Sequence, residues 1–593
     1  MILLFKNLSI FFNSKSDLNF TLLKSQIVFF ISSIFELTGI LMLGPLIFLA
    51  SSGSASIENE QINFLYQFFK FNNFESFFIF FFVATFSFIL LGAFSSIFSV
   101  ILLSRISTDC GVSLGNKLLD HYLFQKWSFL ISTSSTRMVN EIYQESSRIT
   151  QNIFVPMMMM NKNSMLVFFI ICGLLYVDIL LTSAFFLLLS FIYILIYISF
   201  RSRLYKNSEL LTQAHENRLS FLNDVFELLK QIKIWGNESY FTKGFDKSST
   251  VWGNSYKHNL NVALLPRYFV ESFILLGITV LIFYSSISGA NFSESFPKLS
   301  VFLFSAFKLL PALQGIYYSS SQIRGNIYSL ENIIKNLSSS IDLPTDEKVF
   351  FQDPIRSILL KNISFKYTNS DKLTINNATV MLETNKIIGI TGKSGSGKST
   401  FCDILMGLHE HQKGIIEVNN KKVKIYENRA WLDKVSYAPT QTKLIDDSLE
   451  NNIFFASKDI HKIDFLKEIA NIDFLNLDED LSEIPKFNNL SAGQIQRIGL
   501  ARAFARITPE LIILDEPTSS LDNTNKINLI QNLQNLKNEK IIVLITHDID
   551  ILKQLDQILI FKEGEVESFE NFSEASEKSN ELNSLINPKK VNK

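Results

Sequence analysis

The sequence has little of what marks a secreted disulfide-linked protein or a nucleic-acid-binding protein. Its 593 residues contain three cysteines, and these lack the CxxC spacing of a disulfide or zinc framework. The formal net charge is −1, so no excess of positive charge favours nucleic acid as a partner. The N-terminus has lysines but no small-residue cleavage site, so we expect a mature interfacial segment rather than a cleaved signal.

Apolar residues are abundant: they make up 47% of the chain and include 56 phenylalanines. The chain is too long for one hydrophobic core, so we expect two or more domains. Six apolar runs in the first half are each long enough to cross a bilayer as a helix, which takes about 20 residues. These runs are residues 24–50, 75–103, 155–176, 179–200, 264–285 and 297–318. We therefore predict a six-helix, all-α transmembrane domain.

The charge of the connecting segments predicts the orientation of these helices. Segments 51–73 and 286–296 contain at most one basic residue each, whereas segments 104–150 and 201–260 contain many lysines and arginines. Because basic segments stay in the cytoplasm, we expect the latter two and both termini there, in a multi-pass protein of the inner (plasma) membrane. Their length and the three-to-four spacing of their apolar residues predict two helical arms.

The composition changes after about residue 320. Residues 321–355 read as a helix followed by a linker that contains serine and proline. In residues 356–566, short β-rich runs alternate with helical stretches, which indicates an α/β domain with a largely parallel sheet. Residues 567–593 are polar and predict a fraying tail. The predicted order is thus a transmembrane domain with its arms (1–320), a linker, an α/β phosphate-loop ATPase domain and a tail.

A phosphate-binding loop is predicted where "GITGKSGSGKST" follows the strand-like run "NKIIGI". The stretch satisfies GxxxxGK[ST], in which glycines let backbone N–H groups surround phosphate oxygens. Lys398 would reach the β and γ phosphates, and the Ser399 hydroxyl would bind Mg²⁺ at the start of a helix. The predicted nucleotide contacts of this loop are Gly392, Ser394, Gly395, Ser396, Gly397, Lys398, Ser399 and Thr400. ATP and Mg²⁺ are therefore the predicted cofactors.

A second part of the site is predicted at "LIILDEP", about 115 residues further along the chain. Four apolar residues form a central strand that brings Asp515 to its carboxyl end, where the carboxylate suits a Mg²⁺ shell. Glu516 follows directly and is placed to polarise an attacking water. An ordinary solvated turn would explain an Asp-Glu pair alone, but the upstream phosphate loop favours catalysis.

The stretch "LSAGQIQRIGLARAF", residues 490–504, resembles the signature of ATP-binding-cassette proteins, whose usual form is LSGGQ. Together with the phosphate loop, "LIILDEP", "SSLD" and "ITHD", its order and spacing match the whole cassette, and six helices ahead of one cassette resemble exporter-type half-transporters. The resemblance implies that Tyr367 stacks on adenine, Glu516 is the catalytic base, His547 contacts the γ-phosphate, Ser491 and Gly493 hold the γ-phosphate of the opposite subunit's nucleotide, and Asp522 links the two sites.

The resemblance also implies a dimer, because each ATP needs a phosphate loop and a signature from different cassettes. A homodimer with a second copy as the partner half-transporter is the simpler expectation. One departure concerns the glutamine that directly follows "Y-x-P" in the family and senses Mg²⁺ and water. Here "YAPTQT" has Thr440 at that position and Gln441 one place later. Either the loop absorbs the shift and Gln441 contacts Mg²⁺ and nucleotide, or Gln441 is the wrong side chain.

Charged residues inside the apolar runs are expensive in a bilayer and therefore stand out. Those that stand out most are Glu36 in the first run, Arg267 and Glu271 in the fifth, and Lys308 in the sixth, while Lys162 and two asparagines make the third run the weakest candidate. Arg267 and Glu271 lie four residues apart on one helix face, so an ion pair between them, or with Lys308, would hold the bundle together. Alternatively Arg267 reaches towards the cytoplasmic interface, or these residues form a cationic patch for an anionic head group.

The pattern "LPRYFVES", Glu36 and the lysine before "LLP" resemble bacterial flippases of lipid-linked oligosaccharides. The leading hypothesis is ATP-driven export or flipping of an anionic amphiphile, with a lipid-linked saccharide as substrate and membrane lipid as a partner. Within the same class, the cargo could instead be a peptide, another lipid or a drug. The alternative from another class is a membrane-anchored ATP-binding regulator that moves nothing.

Overall fold

The computed structural model describes residues 15–58, 60–287, 292–338, 353–367, 370–455, 470, 490–506, 509–579 and 581–583. It divides into two compact units. The first unit contains the residues up to Phe124 and Thr133–Ile341, and the second contains Gln125–Ser132 and the residues from Asp342 onward.

The described residues of the first unit form helices joined by short turns, with no strand among them. Its helices are α1 (Lys15–Ser52), α2 (Glu60–Phe68), α3 (Phe74–Leu123), α5 (Ser135–Val177), α6 (Ile179–Glu227), α7 (Leu229–Trp235), α8 (Glu238–Leu264), α9 (Pro266–Ile287) and α10 (Phe292–Ser338), while the short α4 (Trp127–Ser132) belongs to the second unit. A 3₁₀ turn covers Gly53–Glu58, and π-helical turns within α5 cover Asn140–Glu145 and Thr150–Phe154.

Four helices of the described residues are long and apolar enough to cross a membrane. These segments are Phe20–Ser52, Phe74–Leu123, Ser135–Val177 and Ser300–Ser338, and they contain or overlap four of the six predicted spans. The other two predicted spans, 179–200 and 264–285, are helical in α6 and at the junction of α8 and α9. Many side chains of these two spans lie outside the described ones, so they stay predictions. Pro266 begins α9, where its missing N–H leaves no hydrogen bond unmade.

Helices α3, α5, α6 and α10 continue well beyond the length that a bilayer requires. Helix α3 buries Leu103, Ile106, Cys110, Leu114 and Leu118, which follow three-to-four spacing along one face. The same cluster includes Ile149 and Ile153 of α5 and Ile323, Leu330 and Ile333 of α10. The hydrophobic effect therefore holds these three helices together in this part of the unit.

Helix α10 accounts for the helix that was expected at the start of residues 321–355 and shows that it is continuous with the last membrane helix. The helix runs without interruption to Ser338, and its residues Leu330 and Ile333 are buried in the cluster described above. Residues 321–338 thus extend the last helix of the first unit. The remainder of the predicted linker up to residue 352 lies outside the described residues.

The second unit contains two sheets. The strands are β1 (Ser357–Phe365), β2 (Ile375–Glu383), β3 (Ile387–Gly392), β4 (Lys413–Val418), β5 (Lys421–Lys422), β6 (Val435–Ala438), β7 (Leu511–Asp515), β8 (Ile541–Ile545), β9 (Gln557–Lys562) and β10 (Glu565–Phe569). One sheet has the order β2-β1-β4-β5 and is antiparallel. The other has the order β10-β9-β3-β8-β7-β6, and only the β9–β10 pair is antiparallel. A largely parallel sheet was predicted from the sequence.

Helices cover both faces of the six-stranded sheet. They are α11 (Lys398–Leu405), α12 (Arg429–Leu432), α13 (Leu449–Phe454), α14 (Ala492–Phe504), α15 (Asn523–Leu536), α16 (Ile549–Leu552) and α17 (Phe572–Lys578). Successive residues of β7 alternate between two buried clusters, with Leu511 and Ile513 in one and Ile512 and Leu514 in the other. A strand buried on both faces is an almost continuous apolar run, which explains "LIIL".

The end of the chain also differs from the sequence prediction. Residues after 567 complete β10 and then form α17, and both Ala575 and Leu582 are fully buried in the core of the second unit. The prediction of a fraying tail is therefore wrong for the described residues up to 583, because Ala575 and Leu582 lie in the core and Phe569 and Phe572 pack against it. Residues 584–593 lie outside the described part of the chain.

Candidate active site

The loop between β3 and α11 can be formed only with glycine at two positions. Gly392 and Gly397 have φ angles of +141° and +108°, which L side chains rarely adopt. A Cβ on Gly392 would lie 2.2 Å from the carbonyl oxygen of Phe561, and one on Gly397 would lie 2.7 Å from that of Thr374. The backbone is therefore packed closely behind the loop, and its concave side is left for a ligand.

Lys398 lies on the inner side of this loop. Its side chain is 9% exposed, and its Nζ donates hydrogen bonds to the carbonyl oxygens of Gly392 at 2.6 Å and Lys393 at 2.8 Å. Burial lowers the pKa of the Lys398 ammonium, whereas the charges of Glu516 and Asp515 act in the opposite direction. A phosphate oxygen would therefore meet a desolvated cation that the loop already holds in place.

The hydroxyl groups of the loop fit a triphosphate with its metal ion. The Oγ of Ser396 is buried and has no hydrogen-bond partner among the described residues, which leaves a donor for a ligand. Ser399 is exposed in the first turn of α11, and Ser394 and Gly395 are exposed at the tip of the loop. This donor set has the composition that phosphate oxygens and Mg²⁺ require.

Asp515 ends β7, two strands away from the strand that leads into the loop. Burial raises the pKa of its carboxyl, and a hydrogen bond from Thr440 opposes this shift. Tyr437 also donates to Oδ2 of Asp515, at 3.4 Å. Burial, with a contribution from the Asp515 charge, raises the pKa of Asp403 to about 6. Asp515 therefore lies in a partly dry environment at the carboxyl end of β7, with the charge of Asp403 near enough to be affected by it.

The structure brings Thr440, rather than Gln441, to Asp515. The Gln441 side chain is exposed, and no hydrogen bond among the described residues joins it to Asp515. Of the two alternatives left open by the sequence, this arrangement favours the second, in which Gln441 is not the side chain that serves the metal site. The sequence placed Thr440 at the position of the family's glutamine, but its hydrogen bond to Asp515 depends on how the two segments pack in the fold.

Glu516 and His547 are brought together at the ends of β7 and β8. The Oε1 atom of Glu516 lies 3.7 Å from Nε2 of His547. Glu516 has a φ of +47°, which is uncommon for a residue other than glycine. Its N–H donates to the carbonyl oxygen of Ile545 at 2.9 Å, and its own carbonyl accepts from Nε2 of Gln496 at 2.8 Å. The strained backbone is thus fixed from two sides, and the carboxylate projects from it.

Gln496 connects the signature helix to Glu516 and was not among the predicted site residues. Besides Glu516, its amide donates to Oγ of Ser519 at 3.2 Å and accepts from the N–H of Ser520 at 3.1 Å. The only signal in the sequence was its position two residues after Gln494 within the signature stretch. The side chain is buried, so α14 and the backbone of Glu516 are joined directly through Gln496.

The signature begins with a helix cap. Ser491 accepts from the N–H of Gln494 at 3.3 Å, and the Gln494 side chain accepts from the N–H of Ser491 at 2.8 Å. A Cβ on Gly493 would lie 2.6 Å from the carbonyl oxygen of Ser520. Asp522 caps α15 by accepting from the N–H of Asn525 at 2.9 Å. No hydrogen bond among the described residues joins Ser491, Gly493 or Asp522 to the phosphate loop.

Tyr367 lies beside the first helix of the nucleotide site. Its hydroxyl is 3.0 Å from Oγ1 of Thr400, and its ring packs edge-on against Phe365 and His409. The ring is half-buried. The predicted adenine contact is thus placed next to Thr400, which was itself predicted to contact the nucleotide.

The charges predicted in the membrane helices form two pairs. Nζ of Lys308 lies 3.1 Å from Oε2 of Glu36, and Nε of Arg267 lies 2.6 Å from Oε1 of Glu271. Gln314 also approaches Glu271, at 3.4 Å. The predicted pair within α9 is therefore present, whereas Lys308 pairs with α1 rather than with Glu271.

A further lysine lies near the first of these pairs and was not among the predicted site residues. Lys162 of α5 donates to Oγ of Ser96 at 2.9 Å and interacts electrostatically with both Glu36 and Lys308. In the sequence this lysine only weakened the third apolar run. Its proximity to two charges far away in the chain could be seen only in the folded bundle.

Two family models match the chain. Residues 22–309 match the ABC transporter transmembrane region, and residues 375–519 match the ABC transporter model. The two matches do not overlap and together cover well over half of the sequence. The chain belongs to the ABC transporters. The resemblance suggested by the signature is thereby confirmed, as is the fold class of an exporter-type helical domain fused to an α/β cassette.

Relatives and a solved structure agree with this assignment. An export ATP-binding/permease protein of Rickettsia bellii is 27% identical to this chain. The match covers 59% of this chain and 62% of the relative, so the chain spans less than two thirds of that relative's length. The ATP-dependent lipid A-core flippase of Haemophilus influenzae is 23% identical over 78% of this chain and 80% of its own. A bacterial Atm1-family ABC exporter with ATP bound has the same fold, with a TM-score of 0.77, 14% identity and coverage of 98% of this chain and 100% of its own.

Proposed function

We propose that this ABC transporter hydrolyses ATP to export or flip an anionic amphiphile, with a lipid-linked oligosaccharide or polysaccharide precursor as its substrate class. The cassette supports the first half of this proposal. The loop around Lys398 would hold the phosphates, while Ser399 and Asp515, supported by Thr440, would hold Mg²⁺. A bound Mg²⁺ would neutralise the charge that develops on the phosphates.

Hydrolysis is assigned to Glu516. Its carboxylate lies beside His547 and stands on a backbone fixed by Gln496 and Ile545. From there it can orient a water and accept its proton, while His547 donates to the γ-phosphate. Both side chains are partly exposed and can therefore reach a ligand.

The working unit is proposed to be a homodimer. Ser491, Gly493 and Asp522 have no hydrogen bond to the phosphate loop of their own chain among the described residues. A second copy could therefore supply the signature to each nucleotide, as family resemblance implies. We further propose that the cassettes and both termini lie in the cytoplasm, where ATP is available, and that the chain crosses the inner membrane.

The proposed substrate class rests mainly on the number of positive and negative side chains around Glu36. This carboxylate is 6% exposed, and two lysines, Lys162 and Lys308, interact with it. The cluster formed by Glu36, Lys162 and Lys308 therefore has an excess of one positive charge. Lys308 is 47% exposed and so can also contact an anion. By contrast, Arg267 and Glu271 neutralise each other and add no net charge.

The lipid A-core flippase named above supports an amphiphilic lipid as cargo, because the similarity spans most of both chains. A pyrophosphate between a polyprenyl tail and a saccharide would match a cationic cluster among apolar helices. The cassette does not distinguish this proposal from the alternatives of a peptide, another lipid or a drug as cargo. Transport assays with each class of compound distinguish them.

The proposal is tested by ATPase assays in proteoliposomes. A polyprenyl-pyrophosphate saccharide should stimulate hydrolysis, whereas the matching uncharged polyprenol should not. Lys308→Met should reduce the stimulation, and Lys233→Met serves as the matched control, because Lys233 forms a 3.0 Å ion pair with Glu238 outside the predicted spans. Equal stimulation by both lipids would contradict the anionic substrate. Absence of any ATPase activity in the wild type would favour the regulator.

A further inference from the structure

The described end of the chain touches the phosphate loop. Oε1 of Glu581 lies 3.2 Å from Nζ of Lys393, the residue that follows the first glycine of "GKSGSGKS". The Glu581 side chain is only 9% exposed, while that of Lys393 is 67% exposed. Ala575 and Leu582 anchor the C-terminal segment, residues 570–579 and 581–583, by complete burial in the cassette core. The carboxylate is therefore held against the loop by packing on both sides of it.

The strand hairpin that leads into this segment contacts the same loop. The N–H of Gly564, in the turn between β9 and β10, donates to the carbonyl oxygen of Ser396 at 3.1 Å. Gly564 has a φ of +90°, and a Cβ there would lie 2.9 Å from the carbonyl oxygen of Thr374. The loop is thus supported twice by the last part of the cassette, once through its backbone and once through the Lys393 side chain.

The backbone of Lys393 contacts two residues that are predicted to bind phosphate. Its carbonyl oxygen accepts from Nζ of Lys398 at 2.8 Å and from the N–H of Ser396 at 3.2 Å. Lys393 therefore has two roles. Its side chain pairs with Glu581, and its carbonyl oxygen helps to position Lys398, the phosphate-binding lysine. A restraint on Lys393 reduces the conformational freedom that the loop must lose when it closes on a phosphate.

We propose that Glu581 is a positioning residue for the phosphate loop, and that its ion pair with Lys393 lets the C-terminal segment set the affinity for ATP. Because packing on the cassette core holds the carboxylate in place, the ion pair with Lys393 keeps the loop in one shape before ATP arrives. This inference rests on the proposed function only in requiring that the loop bind ATP. It assigns no chemistry to Glu581 itself.

The test compares Glu581→Gln with wild type in the full-length purified protein. We expect the KM for ATP to rise about fivefold while kcat stays within about twofold, since the pair acts on binding and not on Glu516. Binding of trinitrophenyl-ATP is measured in parallel and should weaken by the same factor. Glu574→Gln is the matched control, because it breaks the 2.8 Å pair with Lys578 in the same segment without touching the loop.

A double-mutant cycle shows whether Glu581 affects ATP binding through its contact with Lys393 or only through its negative charge. Lys393→Met should raise the KM, and adding Glu581→Gln to it should raise the KM no further, because both residues act through one contact. An unchanged KM in Glu581→Gln, additive effects in the double variant, or a fall in KM would overturn the proposal. A fall would mean that the carboxylate merely repels nucleotide. If wild type binds no nucleotide, the proposed function fails with it, and thermal unfolding reports any general loss of structure.

Discussion

The cassette and the membrane helices hold their charged residues in different ways. In the cassette, backbone geometry places Lys398 and Glu516, since the first donates to loop carbonyls and the second stands on a positive φ. In the membrane helices, Glu36 with Lys308 and Arg267 with Glu271 are placed by pairing with each other. The Lys398 ammonium uses two of its three N–H groups on loop carbonyls and keeps one for a ligand. A charge whose head group is paired with an opposite charge must exchange that partner before it can bind a ligand.

The largest effect is expected at Glu516. Glu516→Gln keeps the shape but removes the proton acceptor, so ATP hydrolysis should fall about 100-fold or more. Binding of trinitrophenyl-ATP should persist, because the phosphate loop is unchanged. Glu539→Gln, an exposed carboxylate in the same cassette, is the control and should hydrolyse ATP normally. Hydrolysis by Glu516→Gln at more than a tenth of the wild-type rate would rule out its assignment as the base.

The next effect is expected at Gly493, where a side chain has no room. Gly493→Ala places a Cβ 2.6 Å from the carbonyl oxygen of Ser520, so the start of α14 must shift. Because Gln496 links this helix to Glu516, hydrolysis at saturating ATP should fall roughly tenfold, as for a tightly packed site. The neighbouring exposed Ala492→Gly should stay within about threefold of wild type. Equal activity of the two variants would show that the contact with Ser520 is unimportant.

A smaller effect separates Thr440 from Gln441. Thr440→Val removes the hydroxyl that donates to Asp515, so half-maximal hydrolysis should need about three to ten times more Mg²⁺. Gln441→Ala should change the Mg²⁺ requirement less than about twofold. The Mg²⁺ titration of both variants at fixed ATP measures this directly, and the reverse order would return the role to Gln441.

The smallest effect is expected in the membrane pair. Lys308→Met leaves the buried Glu36 with less cationic support, so the free energy of unfolding should fall by about 1–2 kcal/mol. The double variant Glu36→Gln with Lys308→Met should recover most of this loss, because no unpaired carboxylate remains. Thermal unfolding in lipid nanodiscs compares the two. If the double variant is no more stable than the single one, the pair does not hold these helices.

Local patterns in the sequence predicted the motifs and contacts that form within a single segment of the chain. The phosphate loop, "LIILDEP" and the signature were found because each lies on one strand, turn or helix. The pair of Arg267 and Glu271 was found because i, i+4 spacing fixes it. Glu36 and Lys308, by contrast, are 272 positions apart, and their contact depends on how the helices pack.

The same distinction explains what the sequence did not predict. The sequence could not predict the contacts of Thr440, Gln496 and Lys162. Each of these residues interacts with a residue on another element, and composition and spacing do not indicate such contacts. The end of the chain looked disordered because it is polar, yet Ala575 and Leu582 anchor it in the core. A helix was expected at the start of residues 321–355, but the burial of Leu330 and Ile333 against other helices could be seen only in the fold.

The central claim is that ATP hydrolysis at Glu516 drives a lipid-linked anion across the membrane. The most direct measurement follows a fluorescent polyprenyl-pyrophosphate saccharide in proteoliposomes that contain wild type or Glu516→Gln, with ATP added outside. Movement of the label across the bilayer with wild type, and none with Glu516→Gln, is the predicted result. Equal movement with both proteins, or none with wild type while it hydrolyses ATP, would contradict the account.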